Sequence, residues 1–476
     1  MALAVLALGC NDDGATMEPV NGAGSTATST ARVRDSAPVP ELAEPPAAVP
    51  LTADQYNERL DAWRLESGNK QELQRLSGYN LVLVVVDGLR VDLLQPLSAE
   101  KRAQYPHLTA LLQQSRRFDM AFSSAAGTDV GMTAMLTGRL HYLYRGRHTL
   151  ARALRGAGVR THGVYQTEVE RWLGVSMCRQ GHQKRRVLVN DPLRPDFGSR
   201  ATSRQVTDEG IRFLGRHGGE RFFLWLHYFD VHEHHQIQLR TLSMPGLVGE
   251  VEEPGSGAPR GRYELMLRHV DHHVGRFLSE LEQRGLADRT IVVFTADHGE
   301  ALGESPRLPT RHGERLYQTL VHVPLALRIP SVKGQRLHTP VSIADLYPTL
   351  LDLAGIEAPV KGDGISLLPF LLQDKPAPFE QLSRPIFLME SHQQAVVKWP
   401  LKLIVWQDRE AVELYDLASD PSERHDLSAA RPAVVRQMRA LLKARGLDRV
   451  DRRRSYVRSI LRERARDRRE ARKHQE

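Results

Sequence analysis

Cysteine is scarce in this 476-residue sequence, which contains only Cys10 and Cys178. Two cysteines exclude a disulfide framework, and they also exclude a zinc site built on thiolates. Long apolar runs are missing too, so any attachment to a membrane is expected through an anchor and not through a spanning helix. The remaining composition, 41% hydrophobic and 26% charged, is typical of a globular protein. The length predicts one large α/β unit with a smaller companion.

The positive charge is concentrated at one end of the sequence. The formal net charge is +8, and residues 449–476 alone contain 12 Lys and Arg against 5 Asp and Glu. Residues 448–476 therefore predict a basic helical tail whose charges face solvent. Apart from Tyr456 the tail has no aromatic residue among its charges, so we predict no specific nucleic-acid partner.

The first ten residues form a short apolar run that ends in small residues before Cys10. This pattern predicts the remnant of a lipoprotein signal with Cys10 as the lipidated residue, although no Lys or Arg precedes the run. An ordinary frayed terminus is the alternative. Residues 11–52, rich in Ala, Pro, Ser and Thr, are predicted to form a disordered linker. We therefore expect a lipid-anchored protein of the bacterial cell envelope or periplasm, with secretion as the alternative.

Residues 53–384 alternate short apolar runs with helical patterns, which predicts a large, mostly parallel sheet flanked by helices. Three runs have the character of strands buried on both faces: residues 81–86, 222–226 and 291–296. The Asp and His residues that follow them are Asp87, then His227, Asp230 and His232, then Asp297 and His298. One such residue is usually a cap or a structural histidine, but recurrence at three strand ends favours a shared metal or acid/base site.

The pattern changes in residues 385–447, where four strand-like runs follow one another at hairpin spacing. This spacing predicts a small antiparallel C-terminal sheet, with a helix at about residues 430–445 packed beside it. The predicted fold is therefore α/β, with a catalytic domain over residues 53–384 and a C-terminal subdomain over residues 385–447.

A stretch of small residues leads into an apolar helical pattern that Gly138 closes, so Thr128 should lie near a helix N-terminus. Free N–H groups and the helix dipole stabilise an anion at such a position. Thr128 would there carry a reacting alkoxide or contact a transferring phosphoryl or sulfuryl group. The alternative is that Thr128 merely caps the helix.

Several segments, taken in their order along the chain, resemble the sulfatase family of the alkaline phosphatase superfamily. One is Leu226-His-Tyr-Phe-Asp-Val-His-Glu233, and another is Phe294-Thr-Ala-Asp-His-Gly-Glu300. The full set is residues 80–92, 149–161, 226–233, 294–300, 312–317, 342–355 and 413–421. The resemblance implies an alkaline-phosphatase/sulfatase-like fold. It also implies a single divalent metal, Mn²⁺, Zn²⁺, Ca²⁺ or Mg²⁺, held by Asp87, Thr128, Asp297 and His298.

The main departure from the family lies at its nucleophile. Family sulfatases carry Cys or Ser, converted to formylglycine, before a Pro-Ser-Arg context, whereas this sequence reads Thr128-Asp-Val-Gly-Met132. Thr cannot become formylglycine, and Thr at this place is similar to the phosphoester branch of the superfamily. Gly88 is a second departure, because many sulfatases have a further metal-binding Asp there. The resemblance implies Thr128 as the nucleophile.

The histidines complete the predicted site. By resemblance His227, His232 and His312 would hydrogen-bond the transferring group or protonate the leaving oxygen. In an alternative with two metal ions, Asp230, His232 and His312 would hold the second ion.

The predicted function is hydrolysis of a sulfate or phosphate ester, phosphoester favoured, through a covalent intermediate on Thr128. The substrate would be a sulfated or phosphorylated glycan, lipid or small molecule. One alternative is a transferase of the phosphoethanolamine or glycerol-phosphate type. Another is a catalytically inactive cell-surface binding protein, which the retention of Asp87, Asp297, His298 and His312 argues against.

Overall fold

The computed structural model describes most of the chain between residues 51 and 447. The described residues are 51–140, 148–173, 181–182, 184–188, 200–244, 259–305, 307–308, 312–374, 379, 382–390, 392–407 and 409–447. The predicted signal remnant, nearly all of the predicted linker and the basic tail lie outside them. Among the described helices, none combines the length and the apolar character that crossing a membrane requires.

The described strands fall into one large sheet, one small sheet and one pair. They are β1 (Asn80–Val86), β2 (Arg116–Phe118), β3 (Ala121–Phe122), β4 (Arg160–Gln166), β5 (Lys184–Leu188), β6 (Phe222–Tyr228), β7 (Thr290–Thr295), β8 (Leu325–Arg328), β9 (Gln335–Leu337), β10 (Val341–Ser342), β11 (Ile386–Met389), β12 (Gln393–Lys398), β13 (Leu401–Trp406) and β14 (Val412–Asp416). The large sheet has the order β5-β4-β6-β1-β7-β8-β2-β9. Within it only β8 runs against its neighbours β7 and β2. The predicted mostly parallel sheet is confirmed.

Strands β1, β6 and β7 lie at the centre of this sheet, and every residue of each is buried. Their continuous apolar sequences suit burial on both faces, because helices cover parallel sheets. In the register, Val85 of β1 lies opposite His227 of β6 and Thr295 of β7. The residues that follow these strands therefore meet at one edge of the sheet, which we call the carboxyl edge.

The described α-helices connect and flank the strands. They are α1 (Ala53–Leu65), α2 (Ser67–Leu76), α3 (Ala99–Gln104), α4 (Pro106–Gln113), α5 (Thr128–Thr137), α6 (Leu150–Gly156), α7 (Thr167–Leu173), α8 (Ser203–His217), α9 (Pro259–Gln283), α10 (Gln318–Val321), α11 (Leu346–Leu353), α12 (Leu368–Leu372) and α13 (Pro432–Ala444). Helix α8 packs against β6 and α9, while α5 packs against α7 and α11. Helix α5 begins at Thr128 and ends before Gly138, whose φ of 66° is the left-handed conformation that suits a C-terminal glycine.

The C-terminal part forms the predicted antiparallel sheet. Strands β11 to β14 pair in sequence order as successive antiparallel neighbours. Helix α13 packs on β12 and β13, burying Val435, Met438 and Leu442. Both the four strands and the helix lie where the sequence predicts them.

Candidate active site at the carboxyl edge

Three buried side chains from two neighbouring strands form the centre of the site. Asp87 follows β1, and Asp297 and His298 follow β7, and all three are fully inaccessible to solvent. Their ligand atoms lie within 4.8 Å of one another, which suits a metal ion. The separation is 3.3 Å between His298 Nε2 and Asp87 Oδ1, and 3.7 Å between His298 Nε2 and Asp297 Oδ2.

The hydrogen bonds around this cluster leave its metal-facing atoms free. Asp297 Oδ1 accepts from the backbone N–H groups of Gly88 and His298, whereas its Oδ2 has no hydrogen-bond partner. Asp87 Oδ1 is likewise buried without one. His298 Nδ1 lies 2.7 Å from the carbonyl oxygen of Gly299 and donates to it, so Nε2 would carry the lone pair when the ring binds a metal in its neutral form. Free oxygens and an aimed imidazole lone pair fit a divalent cation.

The charges of the cluster also favour a bound cation. Among the described residues no Lys or Arg pairs with Asp87 or Asp297, so two buried carboxylates share a region without a fixed cation. Burial and the negative charge of Asp87 raise the pKa of Asp297. Burial opposes the charged form of His298, yet the charges of Asp297 and Asp87 raise its pKa to about 10. The protein thus draws positive charge into this pocket, which a metal ion would supply.

Thr128 lies beside the cluster as the first residue of α5. Its Oγ1 is 3.3 Å from Asp87 Oδ2 and 3.2 Å from His298 Nε2, and 6% of the residue is exposed. Gly127 is the N-cap, so Thr128 is not itself the cap, and the Asp129 carboxylate accepts from the Val130 N–H in the first turn at 2.8 Å. Its hydroxyl therefore points to the predicted metal ligands at the positive end of a helix.

Two residues near Asp297, Gly131 and Ser123, let α5 lie close to the end of β7. A Cβ atom on Gly131 would overlap the carbonyl oxygen of Asp297, so only glycine fits there. The Ser123 hydroxyl, just before α5, donates to the same carbonyl oxygen. These contacts fix Thr128 against the strand end that carries Asp297.

The His227 side chain is hydrogen-bonded to the carboxylate of Asp87. Its Nε2 is 2.9 Å from Asp87 Oδ2, and the residue is fully buried. Burial alone would raise the pKa of Asp87, but the charge of His232, the hydrogen bond from His227 and the charge of His298 hold it well below its usual range. The His227 side chain thus contacts the Asp87 carboxylate, and its contact with the transferring group stays a prediction.

His232 and His312 form a pair on the open side of the site. Their Nε2 atoms are 3.2 Å apart, and the rings of His298 and His312 stack with centroids 4.4 Å apart. Each ring is oriented by a carboxylate: His232 Nδ1 is 3.0 Å from Glu233 Oε1, and His312 Nδ1 is 2.8 Å from Glu300 Oε2.

This arrangement requires one shared proton. If both Nδ1 atoms donate to their carboxylates, two neutral rings would present lone pairs to each other at 3.2 Å. One Nε2 must therefore be protonated and donate to the other. The pKa directions agree, because burial opposes but the charge of Asp87 raises the pKa of His232, while burial and the charge of His298 lower that of His312 to about 4.

Asp230, which the two-metal alternative requires, is not available to this pair. Its carboxylate accepts from the backbone N–H groups and the hydroxyls of Thr202 and Ser203, at 2.6 to 3.1 Å, and faces His269 Nδ1 at 3.0 Å. That part of the two-metal alternative is wrong, because the turn after β6 aims Asp230 at the start of α8.

The two carboxylates that orient the histidine pair, Glu233 and Glu300, were not among the predicted site residues. Glu233 and Glu300 stood in the quoted segments without a role, although each directly follows a predicted strand-end cluster. Their position beside His232 and His298 was the signal available. Gly131 lies inside the predicted helical pattern, and nothing in the sequence indicated its role.

Comparisons with protein families agree with this geometry. A family model described as Sulfatase matches residues 79–356, more than half of the chain. A second model, described as N-sulphoglucosamine sulphohydrolase, C-terminal, matches residues 313–447. Arylsulfatase K of Xenopus laevis is 32% identical over 192 residues, which cover 38% of this chain and 35% of that protein. The match thus spans about a third of that relative's length.

Solved structures share the fold over most of this chain. A phosphonate monoester hydrolase of Agrobacterium radiobacter aligns with a TM-score of 0.63 and 20% identity, covering 78% of this chain and 96% of its own. A structure in complex with its substrate D-glucosamine-2-N,6-O-disulfate aligns with a TM-score of 0.59 and 17% identity, covering 77% and 97%. Identities this low show the fold alone.

Proposed function

Because the chain belongs to the sulfatase family, we propose that it is a metal-dependent hydrolase of anionic esters that uses Thr128 as its nucleophile. The observation that carries this proposal is the place of Thr128 Oγ1. It lies at a helix N-terminus, 3.3 Å from Asp87 Oδ2 and 3.2 Å from His298 Nε2. A threonine that served only packing would have no reason to point at the ligand atoms of a metal site.

The chain supplies each part of the reaction. Asp87, Asp297 and His298 would hold a divalent metal, which would lower the pKa of the Thr128 hydroxyl and offset charge on the transferring group. Thr128 gives up its proton, for which Asp87 Oδ2 is a nearby acceptor, and Oγ1 attacks phosphorus in line. The bond to the leaving oxygen breaks and leaves a phospho-threonine. The positive end of the α5 dipole favours the negative charge on the equatorial oxygens.

The histidine pair supplies the proton for the leaving oxygen. The proton shared between His232 Nε2 and His312 Nε2 passes to the departing alkoxide, and the neutral pair then accepts a proton from the water that hydrolyses the phospho-threonine. Glu233 and Glu300 hold both rings in the orientation that presents Nε2 to the site. The proton held by Asp87 returns to Thr128 Oγ1 as the bond from Oγ1 to phosphorus breaks, so each turnover restores the starting protonation state.

We favour phosphoesters over sulfate esters. A threonine cannot provide the formylglycine hydrate, and attack by an alkoxide followed by hydrolysis is a route open to phosphate esters. Sulfate esters are the second candidate, and the similarity to arylsulfatase K and to the disulfate-bound structure favours it. The sugar disulfate in that structure also supports a substrate class, an anionic saccharide. A lipid-anchored position in the bacterial cell envelope is part of the same proposal.

One set of measurements tests the proposal. Purified full-length protein is analysed for metal, stripped with a chelator and reloaded with Mn²⁺, Zn²⁺, Ca²⁺ or Mg²⁺. It is then assayed on p-nitrophenyl sulfate, a phosphate monoester and a phosphodiester. Acid quenching during turnover should trap phosphate on the peptide that contains Thr128.

Each other outcome identifies a different function. Faster turnover of sulfate than of either phosphoester would contradict the favoured substrate. Product appearing on an added acceptor alcohol instead of water would indicate a transferase. Absence of turnover with every metal would support a binding protein that keeps the fold.

A further inference from the structure

A cavity of about 920 Å³ lies beside the candidate active site. Its described lining contains five arginines and three carboxylates: Arg90, Arg117, Arg307, Arg336 and Arg424, and Asp92, Asp119 and Glu304. The described lining does not include Thr128, Asp87, Asp297 or any histidine of the site. The cavity, which we call the arginine cavity, is therefore distinct from the pocket where the ester would react.

The arginine cavity lies along the same edge of the sheet as the active site. Strand β2 runs parallel to β7, since both are antiparallel to the β8 strand between them. Asp119 and Met120, which follow β2, line the cavity. Strands are spaced by about 4.8 Å, so the end of β2 lies roughly 10 Å from the end of β7.

Glu300 stands between the two sites. Its carboxylate lies 2.8 Å from His312 Nδ1 on the active-site side. Its carbonyl oxygen accepts from Arg90 at 3.3 Å on the side of the arginine cavity. One residue thus separates the cavity wall from the histidine pair.

The arginines of the cavity are unevenly neutralised. Arg90 pairs with Asp92 and Glu304, and Arg336 pairs with Asp119. Arg307 binds uncharged partners, the Tyr415 hydroxyl and the Glu423 carbonyl oxygen. The positive charge of the lining therefore exceeds the negative charge that these pairs supply.

Arg117 and Arg424 have the most free hydrogen-bonding capacity. The one hydrogen bond found for the Arg117 side chain in the described part of the chain is to the Leu112 carbonyl oxygen, at 3.3 Å. For the exposed Arg424 side chain none is found among the described residues. Burial lowers the pKa of Arg117, the negative charge of Asp119 opposes this shift, and the positive charge of Arg336 adds to it. Crowded guanidinium groups with spare N–H donors match the fork geometry of a sulfate or phosphate group.

We propose that the arginine cavity binds a second sulfate or phosphate ester group of a polyanionic glycan whose reacting ester lies at Thr128. This inference rests on the proposed function of that site. The volume falls in the range of ligand pockets for small organic groups. The described lining has no Phe, Tyr or Trp on which a nucleobase could stack, which disfavours a nucleic acid. Because the two sites lie roughly 10 Å apart, a ligand that occupies both must carry two anionic groups on one glycan chain.

The test uses full-length protein with Thr128→Ala, so that binding is measured without turnover. A heparin-derived tetrasaccharide and inorganic sulfate are titrated by calorimetry into this protein and into versions that add Arg117→Gln or Arg424→Gln. Loss of one charge-assisted contact should weaken tetrasaccharide binding about tenfold. The exposed Arg59→Gln, on α1 and away from the cavity, is the matched control and should bind as the parent does. Arg424→Gln is the safer variant for folding, because that side chain makes no described hydrogen bond.

A second readout uses enzymes with Thr128 intact. The ratio of kcat/KM on the tetrasaccharide to kcat/KM on a single-ester aryl substrate should fall about tenfold in Arg424→Gln. Equal tetrasaccharide affinity in Arg424→Gln, Arg117→Gln and Arg59→Gln would overturn the proposal. So would binding in which inorganic sulfate depends on these arginines and the tetrasaccharide does not. Arginine-dependent tetrasaccharide binding by a protein that hydrolyses no ester would support the cavity and refute the proposed hydrolase.

Discussion

Two buried clusters of Asp and His in this protein use the same residue types and differ in how their atoms are satisfied. In the first, at the carboxyl edge, Asp87 Oδ1, Asp297 Oδ2 and His227 Nδ1 have no hydrogen-bond partner although they are buried. In the second, around Asp230, His269 and His273, no buried side-chain atom lacks a partner. Buried polar atoms are almost always paired, so the unpaired oxygens of Asp87 and Asp297, which lie close together beside His298, fit a ligand at this place.

The second cluster is a complete chain of hydrogen bonds. Arg276 donates to His273 Nδ1 at 3.1 Å, so His273 carries its proton on Nε2. That Nε2 lies 3.1 Å from His269 Nε2, and His269 Nδ1 lies 3.0 Å from Asp230 Oδ2. Donors and acceptors alternate without a gap. The cluster therefore needs no ligand, and its role is to join α8 and α9.

The largest expected difference between the clusters is in turnover. Replacing Thr128 by Ala removes the nucleophile of the first cluster and should lower kcat by about 10⁴-fold or more. Steady-state kinetics on the best ester found for the wild type measures the loss. Thr133→Ala on the same helix is the matched control, because its hydroxyl only contacts the Asp129 carbonyl oxygen. Wild-type turnover in Thr128→Ala would remove Thr128 from the mechanism.

The next largest effect is on the stability contributed by the second cluster. Asp230→Ala leaves His269 and the start of α8 without their acceptor, which should cost about 3–5 kcal/mol of unfolding free energy. Denaturant titration measures it. The control is Asp208→Ala on the same helix, whose partly exposed ion pair with Arg276 should be worth about 1 kcal/mol or less. If Asp230→Ala unfolds like the wild type but loses bound metal, the second cluster would be a metal site and not a structural chain of hydrogen bonds.

Metal binding should separate the clusters directly. A divalent ion at 100 times its Kd should stabilise the wild type by about 2.7 kcal/mol, seen as a higher Tm. Asp297→Asn should lose this stabilisation, because it removes a charge from the unpaired carboxylate pair. His273→Gln, in the satisfied cluster, should keep it. Loss of the metal-dependent shift in His273→Gln with retention in Asp297→Asn would reverse the assignment.

The fold and the first cluster could be predicted from sequence because both depend on local patterns. Strands β1, β6 and β7 are continuous apolar runs, and chemistry at the ends of parallel strands must converge. The orientation of each side chain could not be predicted. His227, Asp230 and His232 lie within six residues, but their side chains have different partners. His227 contacts Asp87, Asp230 accepts hydrogen bonds at the start of α8, and His232 contacts His312.

Sites assembled from segments far apart in the sequence also could not be predicted. The arginine cavity draws its lining from several loops that only the tertiary fold brings together. The second cluster had a weak signal, His269 and His273 four residues apart on one helix face. Such a pair predicts contact, but whether it binds a ligand depends on partners from other elements, here Asp230 and Arg276.

The smallest expected effect is a pH dependence of stability that comes from the second cluster. Burial and the positive charges of His269, His272 and Arg276 lower the pKa of His273 to about 3. An unfolded histidine takes up its proton near pH 6.5, while the folded one stays neutral, so protons favour unfolding below that pH. The free energy of unfolding should fall by about 2 kcal/mol as pH decreases from 6.5 to 5, at about 1.4 kcal/mol per pH unit. Thermal unfolding of His273→Gln between pH 7 and pH 5 should show a shallower slope than the wild type. A substitution at the exposed His425 should keep the wild-type slope, and an unchanged slope in His273→Gln would mean that the buried chain of hydrogen bonds already accepts a proton.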